Sequence, residues 1–173
     1  LLGQRSGTSS GPTLGFARSR NGTIGSNTIL QENDEFGKIR FFFYYGNDLN
    51  NYGAEIVGAV DAAPVSDDMP GRIVFGTTAD GATASTERMR IGSDGKTFVG
   101  KSSSSLDTAG VLFNPGGTSH YTSTNADVLY LNRKTSDGTI VGFYQDGTLE
   151  GYIVVSGSTV SYNGFSGLHE SSG

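Results

Sequence analysis

The sequence feature that most constrains this chain is a series of Asp-Gly and Asn-Gly pairs that separate short segments of alternating side chains. Residues 72–77 and 87–91 each alternate with a period of two, which is the pattern of a β-strand. An Asp-Gly pair follows each segment, and its glycine supplies the positive φ that a tight turn requires. The stretch Gly71–Gly100 therefore predicts two strands and the start of a third.

The same pairs recur along the chain at spacings that suit strands about 6–9 residues long. No strict internal repeat accompanies them, which argues against a propeller or a leucine-rich solenoid. We assign the reversals of the chain to these turn-forming residues: Asn21, Gly22, Asp80, Gly81, Asp94, Gly95, Asp146 and Gly147.

The most apolar stretch is KIRFFFYY, residues 38–45, which carries aromatic side chains on both faces of a predicted strand. Such a strand is buried on both faces or lies at an interface. Alternating or apolar residues predict the other strands, which are 13–19, 23–30, 110–113, 127–133 and the two arms of a hairpin over 139–155. Residues 53–61 are ambiguous on their own, because their alanines would suit a helix whereas Gly58 disfavours one.

Composition indicates how such strands are stabilised. Glycine accounts for 27 of the 173 residues, and only 17% of residues are charged and 35% hydrophobic. A monomer of this composition has too few apolar residues to form a large hydrophobic core within one chain. The ten Phe and eight Tyr argue against disorder. We therefore predict an all-β chain of short strands and β-hairpins that buries surface against other copies of itself.

Charge and residue usage exclude several classes of function. A net charge of −5 and a pI near 4.9 give no basic footprint for nucleic acid. Cysteine is absent, so neither disulfides nor thiolate metal sites are available. No run of about 18 apolar residues is present, so membrane insertion is not expected. Glycines such as Gly22 and Gly25 lack the strand–helix context of a phosphate loop. We therefore expect no bound cofactor, and we also expect no metal ion.

Changes in composition suggest a division into modules. The predicted order is a linker leading in over 1–12, a β-rich module over 13–100, a Ser-rich linker over 101–109, a second hairpin module over 110–163, and a tail or the lead into a further C-terminal region over 164–173.

The stretch from residue 69 to residue 96 contains MPGR, TTADG, ERMRI and a final Asp-Gly in that order. Upstream, residues 14–20 and 25–28 read LGFARSR and GSNT. These motifs resemble the tail fibres of tailed bacteriophages, which often end in an endosialidase-type intramolecular chaperone domain. The resemblance covers about residues 12–100 and, more loosely, 135–163, and it favours a strand over 53–61. The sequence FVG at 98–100 departs from the usual Gly-Ile-Gly ending.

The resemblance implies a structural or receptor-directed fibre of an extracellular virion. Combined with the composition, it predicts a non-enzymatic, intertwined homotrimer. Its partners would be its own copies, other virion tail proteins, and a glycan or protein of the host surface. No catalytic residue of the chaperone domain maps onto this chain. Receptor contacts are expected in turns and aromatic loops, at 44–52, 114–121 and the tail, without assignment to single residues.

Two alternatives stay open: a tailspike-type depolymerase acting on host surface polysaccharide, and a bacterial trimeric adhesin. Glycoside hydrolysis needs two carboxyl groups roughly 5–10 Å apart, and clustered carboxylates also suit calcium. The carboxylates considered are Glu32, Asp34, Glu35, Asp67, Asp68 and Glu150. We interpret them as solvated turn residues, and His120 and His169 as surface residues, because none has the motif context of a catalytic or calcium site.

Overall fold

The computed structural model describes residues 13–44, 46 and 51–165. These residues form antiparallel sheets of seven and three strands and contain no helix. The predicted all-β class is therefore confirmed. The chain divides into two compact units, Leu1–Ala126 and Asp127–Gly173, which are described separately.

Each unit is a meander in which every strand is antiparallel to the next strand in sequence. The first unit contains β1 (Glu35–Phe42), β2 (Tyr52–Val60), β3 (Gly71–Thr78), β4 (Ser85–Ile91), β5 (Thr97–Val99), β6 (Gly110–Phe113) and β7 (Ser119–Thr122). The second contains β8 (Gly138–Gln145), β9 (Thr148–Ser156) and β10 (Thr159–Asn163).

Asp-Gly pairs lie in three of the connections between strands. Gly81 connects β3 to β4 with φ +75°, and Gly95 connects β4 to β5 with φ +77°. Asp146 and Gly147 join β8 to β9 with φ of +49° and +82°. Two consecutive positive φ angles are the geometry of a type I′ turn, whose twist matches that of the flanking strands.

The fourth pair, Asn21-Gly22, does not supply the positive φ that we predicted for it. That conformation occurs at Gly25, with φ +86°, and the turn closes through a bond from Ser26 N to Thr23 O. The Asn21 side chain instead accepts a hydrogen bond from Thr23 N at 2.9 Å. Such local side-chain bonds compete with a strand ladder.

The predicted strands at 13–19 and 23–30 are not formed. Ser19 explains why, because its hydroxyl lies 2.8 Å from Thr28 N, which donates to it, and so replaces a ladder contact with a side chain. A single backbone bond, from Arg20 N to Thr28 O at 3.2 Å, remains between the two arms. Residues 13–30 therefore form a loop closed largely by its own polar side chains.

The prediction was also wrong at 127–133, which lies outside every strand. Its apolar residues are exposed, and its polar groups bond locally: Tyr130 donates to Asp127, and Arg133 donates to Ser136 O. Without a paired strand, alternation alone does not make a ladder. Two strands were missed, β7 in a polar segment and β10, whose Val160 and Tyr162 alternate after a turn at Gly157.

The Ser-rich segment 101–109 is a loop within one sheet, because β5 on one side of it pairs with β6 on the other. Lys101 is buried and donates to Ser105 O at 2.6 Å, which closes the loop. The division between the units lies instead at Ala126/Asp127. Strands β6 and β7 thus belong with β1–β5, and the module predicted over 110–163 is split.

The core of the first unit is small and lies mainly on one face of its sheet. The buried apolar side chains are Leu30, Val57, Ala59, Val60, Phe98 and Leu112. The register places Val57, Ala59, Phe98 and Leu112 on the same face. On the opposite face Val60 is buried, whereas Ile39, Ile73 and Ile91 remain partly exposed.

Gly110 offers a test of this arrangement. It has φ +131°, and a Cβ there would lie 2.7 Å from the carbonyl oxygen of Val99. We expect Gly110→Ala to lower the free energy of unfolding by about 1–3 kcal/mol, because both the backbone angle and the β5–β6 contact are strained. Denaturant unfolding at a fixed chain concentration measures the change. Gly116→Ala, which meets open space, is the control, and an equal loss in both variants would contradict the register.

Candidate interaction surface

One face of the seven-stranded sheet carries a continuous row of apolar side chains. Paired residues of neighbouring antiparallel strands lie on the same face, so the row can be followed from pair to pair across the sheet. Its members are Ile39, Ile56, Phe75, Met89, Val99, Val111 and Tyr121, one from each strand. We call the face that carries this row the apolar face.

A second row runs beside the first on the apolar face. It comprises Gly58, Ile73, Ile91, Thr97, Phe113 and Ser119. Neither row contains a charged residue. Across the two rows, the side chains of Ile39, Ile73, Ile91, Val99, Phe113 and Tyr121 are 36–43% exposed.

Only one corner of the apolar face is covered within the described part of the first unit. Phe16 lies over Gly37, and Phe36 lies over Gly58 and Gly71. A shallow apolar cavity of about 240 Å³ remains between them and Ile56. The rest of the row has no second layer of sheet or helix within residues 13–44, 46 and 51–126.

The opposite face, which we call the ion-pair face, carries charged side chains that pair with one another within the chain. Arg40 pairs with Glu55 at 2.9 Å, Arg90 with Glu87 at 2.5 Å, and Arg72 with Asp61 at 3.4 Å. These long side chains share the face with the buried residues Val57, Ala59, Phe98 and Leu112. The aliphatic parts of arginine side chains cover apolar surface while their charged ends remain in water.

Glu55 shows how completely these charges are matched. Partial burial raises the pKa of Glu55, but hydrogen bonds from Ser85 and Arg40 outweigh that effect and hold the pKa below its usual range. The Arg40 guanidinium also lies 4.2 Å from the ring centroid of Tyr52, within range of a cation–π contact. The carboxylate is therefore occupied by partners from two other strands, β1 and β4.

A β-bulge in β4 changes which charged residue lies on the apolar face. The extra residue of the bulge, Arg88, donates to Thr77 Oγ1 at 2.9 Å, and the register places Thr77 on the same face as Phe75. Strict alternation puts Glu87 on the same face as Met89 and Ile91. In the structure Phe75 pairs with Met89 but Gly76 pairs with Glu87, so Arg88 is the extra residue. This shift moves Glu87 to the ion-pair face, where it meets Arg90. Bulges re-aim side chains in this way, and no feature of the sequence alone marked this one.

The loop over residues 13–30 is fastened to the first strand by a buried carboxylate. Arg20 donates to Asp34 at 2.5 and 3.1 Å, and Arg18 donates to Glu35 O at 2.5 Å. The hydrogen bond from Arg20 and a second bond from Gln31 N lower the pKa of Asp34 to about 2, against the opposing effect of burial. Asp34 is thus a structural anchor.

The small sheet of the second unit has an apolar face of its own. Val141, Ile153 and Tyr162 lie side by side across its three strands. Phe165 packs edge-to-face on Phe143 at 5.3 Å and on Tyr162 at 6.0 Å between ring centroids. Phe143, Tyr162 and Phe165 remain exposed, so this unit also presents an apolar surface.

The candidate histidines are not brought into a catalytic arrangement. His120 lies on β7 opposite Leu112, and its Nδ1 is buried without a hydrogen-bond partner among the described residues. His169 lies outside the described residues. The neighbour of His120, Tyr121, belongs to the apolar row.

The candidate carboxylates are dispersed. Asp34 is bound by arginines, Glu35 pairs with Lys38, and Glu32 is exposed. Asp67 and Asp68 are exposed in the turn after Val65, and Glu150 is exposed on β9 in the other unit. Within residues 13–44, 46 and 51–165, no three acidic or histidine side chains form a group that would hold a metal ion.

The carboxyl groups with resolved shifts favour the charged form. The pKa values of Asp34, Glu55, Asp61 and Asp94 all lie below their usual range, each through hydrogen bonds that outweigh burial. A general acid for glycoside cleavage needs a raised pKa. These four groups are therefore suited to structural bonding and not to proton donation.

The regions considered for receptor contact are only partly described. Tyr44 is exposed, whereas Tyr45 and residues 47–50 lie outside the described residues, as do residues 166–173 of the tail. Residues 114–118 form a turn closed by bonds between Asn114 and Thr118. A further exposed apolar residue, Ile24, lies in the N-terminal loop and was not singled out from the sequence.

No protein-family model matches this chain, and none of the curated proteins compared with it is significantly similar. The similarity to phage tail fibres consequently rests on the motifs themselves. In the part of the chain that the structure describes, no helix is long and apolar enough to cross a membrane.

The Asp34 anchor predicts a specific pH dependence. The folded-state pKa of about 2 lies below the usual 3.8, so the carboxylate stabilises the fold at pH values above 4, and this stabilisation is lost as pH falls through 2. We expect Asp34→Asn to lower stability near neutral pH and to flatten the acid side of the stability profile. Thermal unfolding between pH 2 and 7 measures both effects.

The matched control is Asp80→Asn, which changes an exposed turn residue in the same unit. It should leave the profile parallel to that of the wild type. An unchanged acid limb in Asp34→Asn would contradict the anchor.

Proposed function

We propose that this chain is a structural segment of a phage-type tail fibre, assembled as a homotrimer, that carries loops for attachment to a host surface. The proposal combines the motif resemblance at residues 69–96 with the architecture of the chain. Its partners are other copies of the chain, neighbouring tail proteins, and a glycan or protein of the host surface.

The observation that carries the proposal is the uncovered apolar face of the first unit. Exposed large apolar side chains greatly outnumber the six buried ones among the described residues. Soluble monomers rarely expose contiguous apolar patches larger than about 300–600 Å². A sheet with this surface is expected to be one layer of an assembly whose other layers are supplied by more chains.

A fibre suits the distribution of loops as well. Meander strands with short turns make a stiff support, and stiff supports position binding loops better than flexible ones. Three copies of one weak contact raise the overall avidity without any new contact. Attachment through repeated loops therefore requires no deep binding pocket in a single chain.

No specific observation favours the depolymerase or the adhesin. A depolymerase needs a carboxyl pair with one raised pKa, and the resolved carboxyl pKa values are shifted the other way. A bacterial adhesin would use the same apolar face and the same loops, so only its source would differ.

Light scattering on the purified native chain tests the assembly. We expect a molar mass of three times 18.1 kDa that persists on dilution, because an apolar interface of this kind dissociates poorly. A folded monomer at every concentration would contradict the proposal.

A second measurement separates attachment from cleavage. Fluorescently labelled chain should bind to susceptible bacterial cells and leave the number of reducing ends in their surface polysaccharide unchanged. Heat-denatured chain is the control for non-specific adhesion. A time-dependent rise in reducing ends would favour the depolymerase instead.

A further inference from the structure

We infer that the copies meet through the apolar face of the first unit and that the ion-pair face is turned outward. This inference rests on the proposed self-assembly and adds which surface of the sheet is buried by it. The occupant of the apolar face is a second copy of this chain.

The chemistry of the apolar face defines what can cover it. Its two rows present Ile, Val, Met, Phe and Tyr side chains with no charge. A partner that brought charged groups would have to strip them of water without compensation. An identical apolar face satisfies this requirement, and the same uncharged rows prevent two copies from repelling each other there.

The size of the face fits a stable interface between chains. Seven strands spaced 4.7–4.9 Å apart give a row roughly 30 Å wide. The exposed parts of the side chains on the two rows amount to roughly 600–800 Å², close to the contribution of one partner to a standard interface. A contact of this size accounts for the row along its whole length, including its ends on β1 and β7.

One charged side chain lies on the apolar face outside the two rows. Arg88, the extra residue of the β4 bulge, donates to Thr77 Oγ1 at 2.9 Å. The surface assigned to the second copy is therefore the two uncharged rows, beside Arg88.

The ion-pair face has the opposite character. Its arginines and carboxylates already pair within the chain, and they share the face with the buried residues Val57, Ala59, Phe98 and Leu112. Burying this face would desolvate paired charges and gain little apolar contact. Exposure to solvent suits it, so it and the loops at the strand ends form the surface open to other molecules.

A permanent partner explains the face better than a transient receptor does. A receptor-binding patch must stay soluble until contact, and a row this wide would promote aggregation during that time. Other copies of the chain are present throughout synthesis and folding. The face is therefore covered as the protein assembles.

Thiol labelling tests which face is buried, because the chain has no native cysteine. Ile39 and Lys38 are neighbours on β1 that point to opposite faces. In the single chain Ile39 is 43% exposed and the Lys38 side chain 31%. We expect a maleimide to label Ile39→Cys in the native particle roughly tenfold or more slowly than Lys38→Cys, since labelling then requires opening of the interface.

A second pair guards against a local effect of substitution. On the opposite edge strand, Tyr121→Cys lies on the apolar face and Thr122→Cys on the ion-pair face. The same order of labelling is expected, with Tyr121→Cys protected. Both members of each pair should label equally fast after denaturation.

Light scattering on the same samples separates the outcomes. An oligomer with Ile39→Cys and Tyr121→Cys protected supports the inference. An oligomer that labels all four positions equally, or in the reverse order, overturns the inference and leaves self-assembly standing. A monomer with the apolar positions protected shows that the chain covers its own face, which overturns it too. A folded monomer that labels at all positions removes both the inference and the proposed trimer.

Discussion

The antiparallel register of the seven strands is the constraint on which the first unit depends. Each pairing carries one apolar residue to the same face as the last, so Ile39 on one edge is linked through five central strands to Tyr121 on the other. A slip of one residue at any strand would turn its side chains to the opposite face. The bulge at Arg88 adjusts the register locally within β4.

The two faces solve the problem of burial differently. On the ion-pair face, Arg40, Arg72 and Arg90 pair with carboxylates beside buried apolar residues, so this face buries apolar side chains within a single chain. Exposed ion pairs add little stability individually. The apolar face has no equivalent burial along its two rows in the described residues of the first unit.

Local patterns predicted most of the ladders but not how they combine. Period-two alternation, apolar runs and Asp-Gly turns located β1, β3 to β6, β8 and β9 to within a few residues, whereas the strand at β2 was favoured by the resemblance. Alternation failed at 127–133, where no partner strand is present, and side-chain bonds from Ser19 and Asn21 replaced the ladder near the N-terminus. The strands β7 and β10 were not predicted, because both are short and consist largely of polar residues.

The candidate surface was beyond the reach of sequence patterns because it is a property of register. Met89, Val99 and Val111 do not stand out in the sequence, and they become a surface only when two separate pairings align them. The aromatic strand at 38–45 did suggest an interface, but it marks only the end of the row. Sequence likewise gave no reason to separate Glu87 from Met89, since that separation depends on a bulge.

The connectivity of the sheet indicates how folding and assembly are related. Every strand pairs with its neighbour in sequence, so the ladders close short loops and can form early. Local pairing therefore aligns the apolar row in each chain, and the proposed association would then bury it. This order favours assembly of preformed sheets over folding from fully unfolded chains.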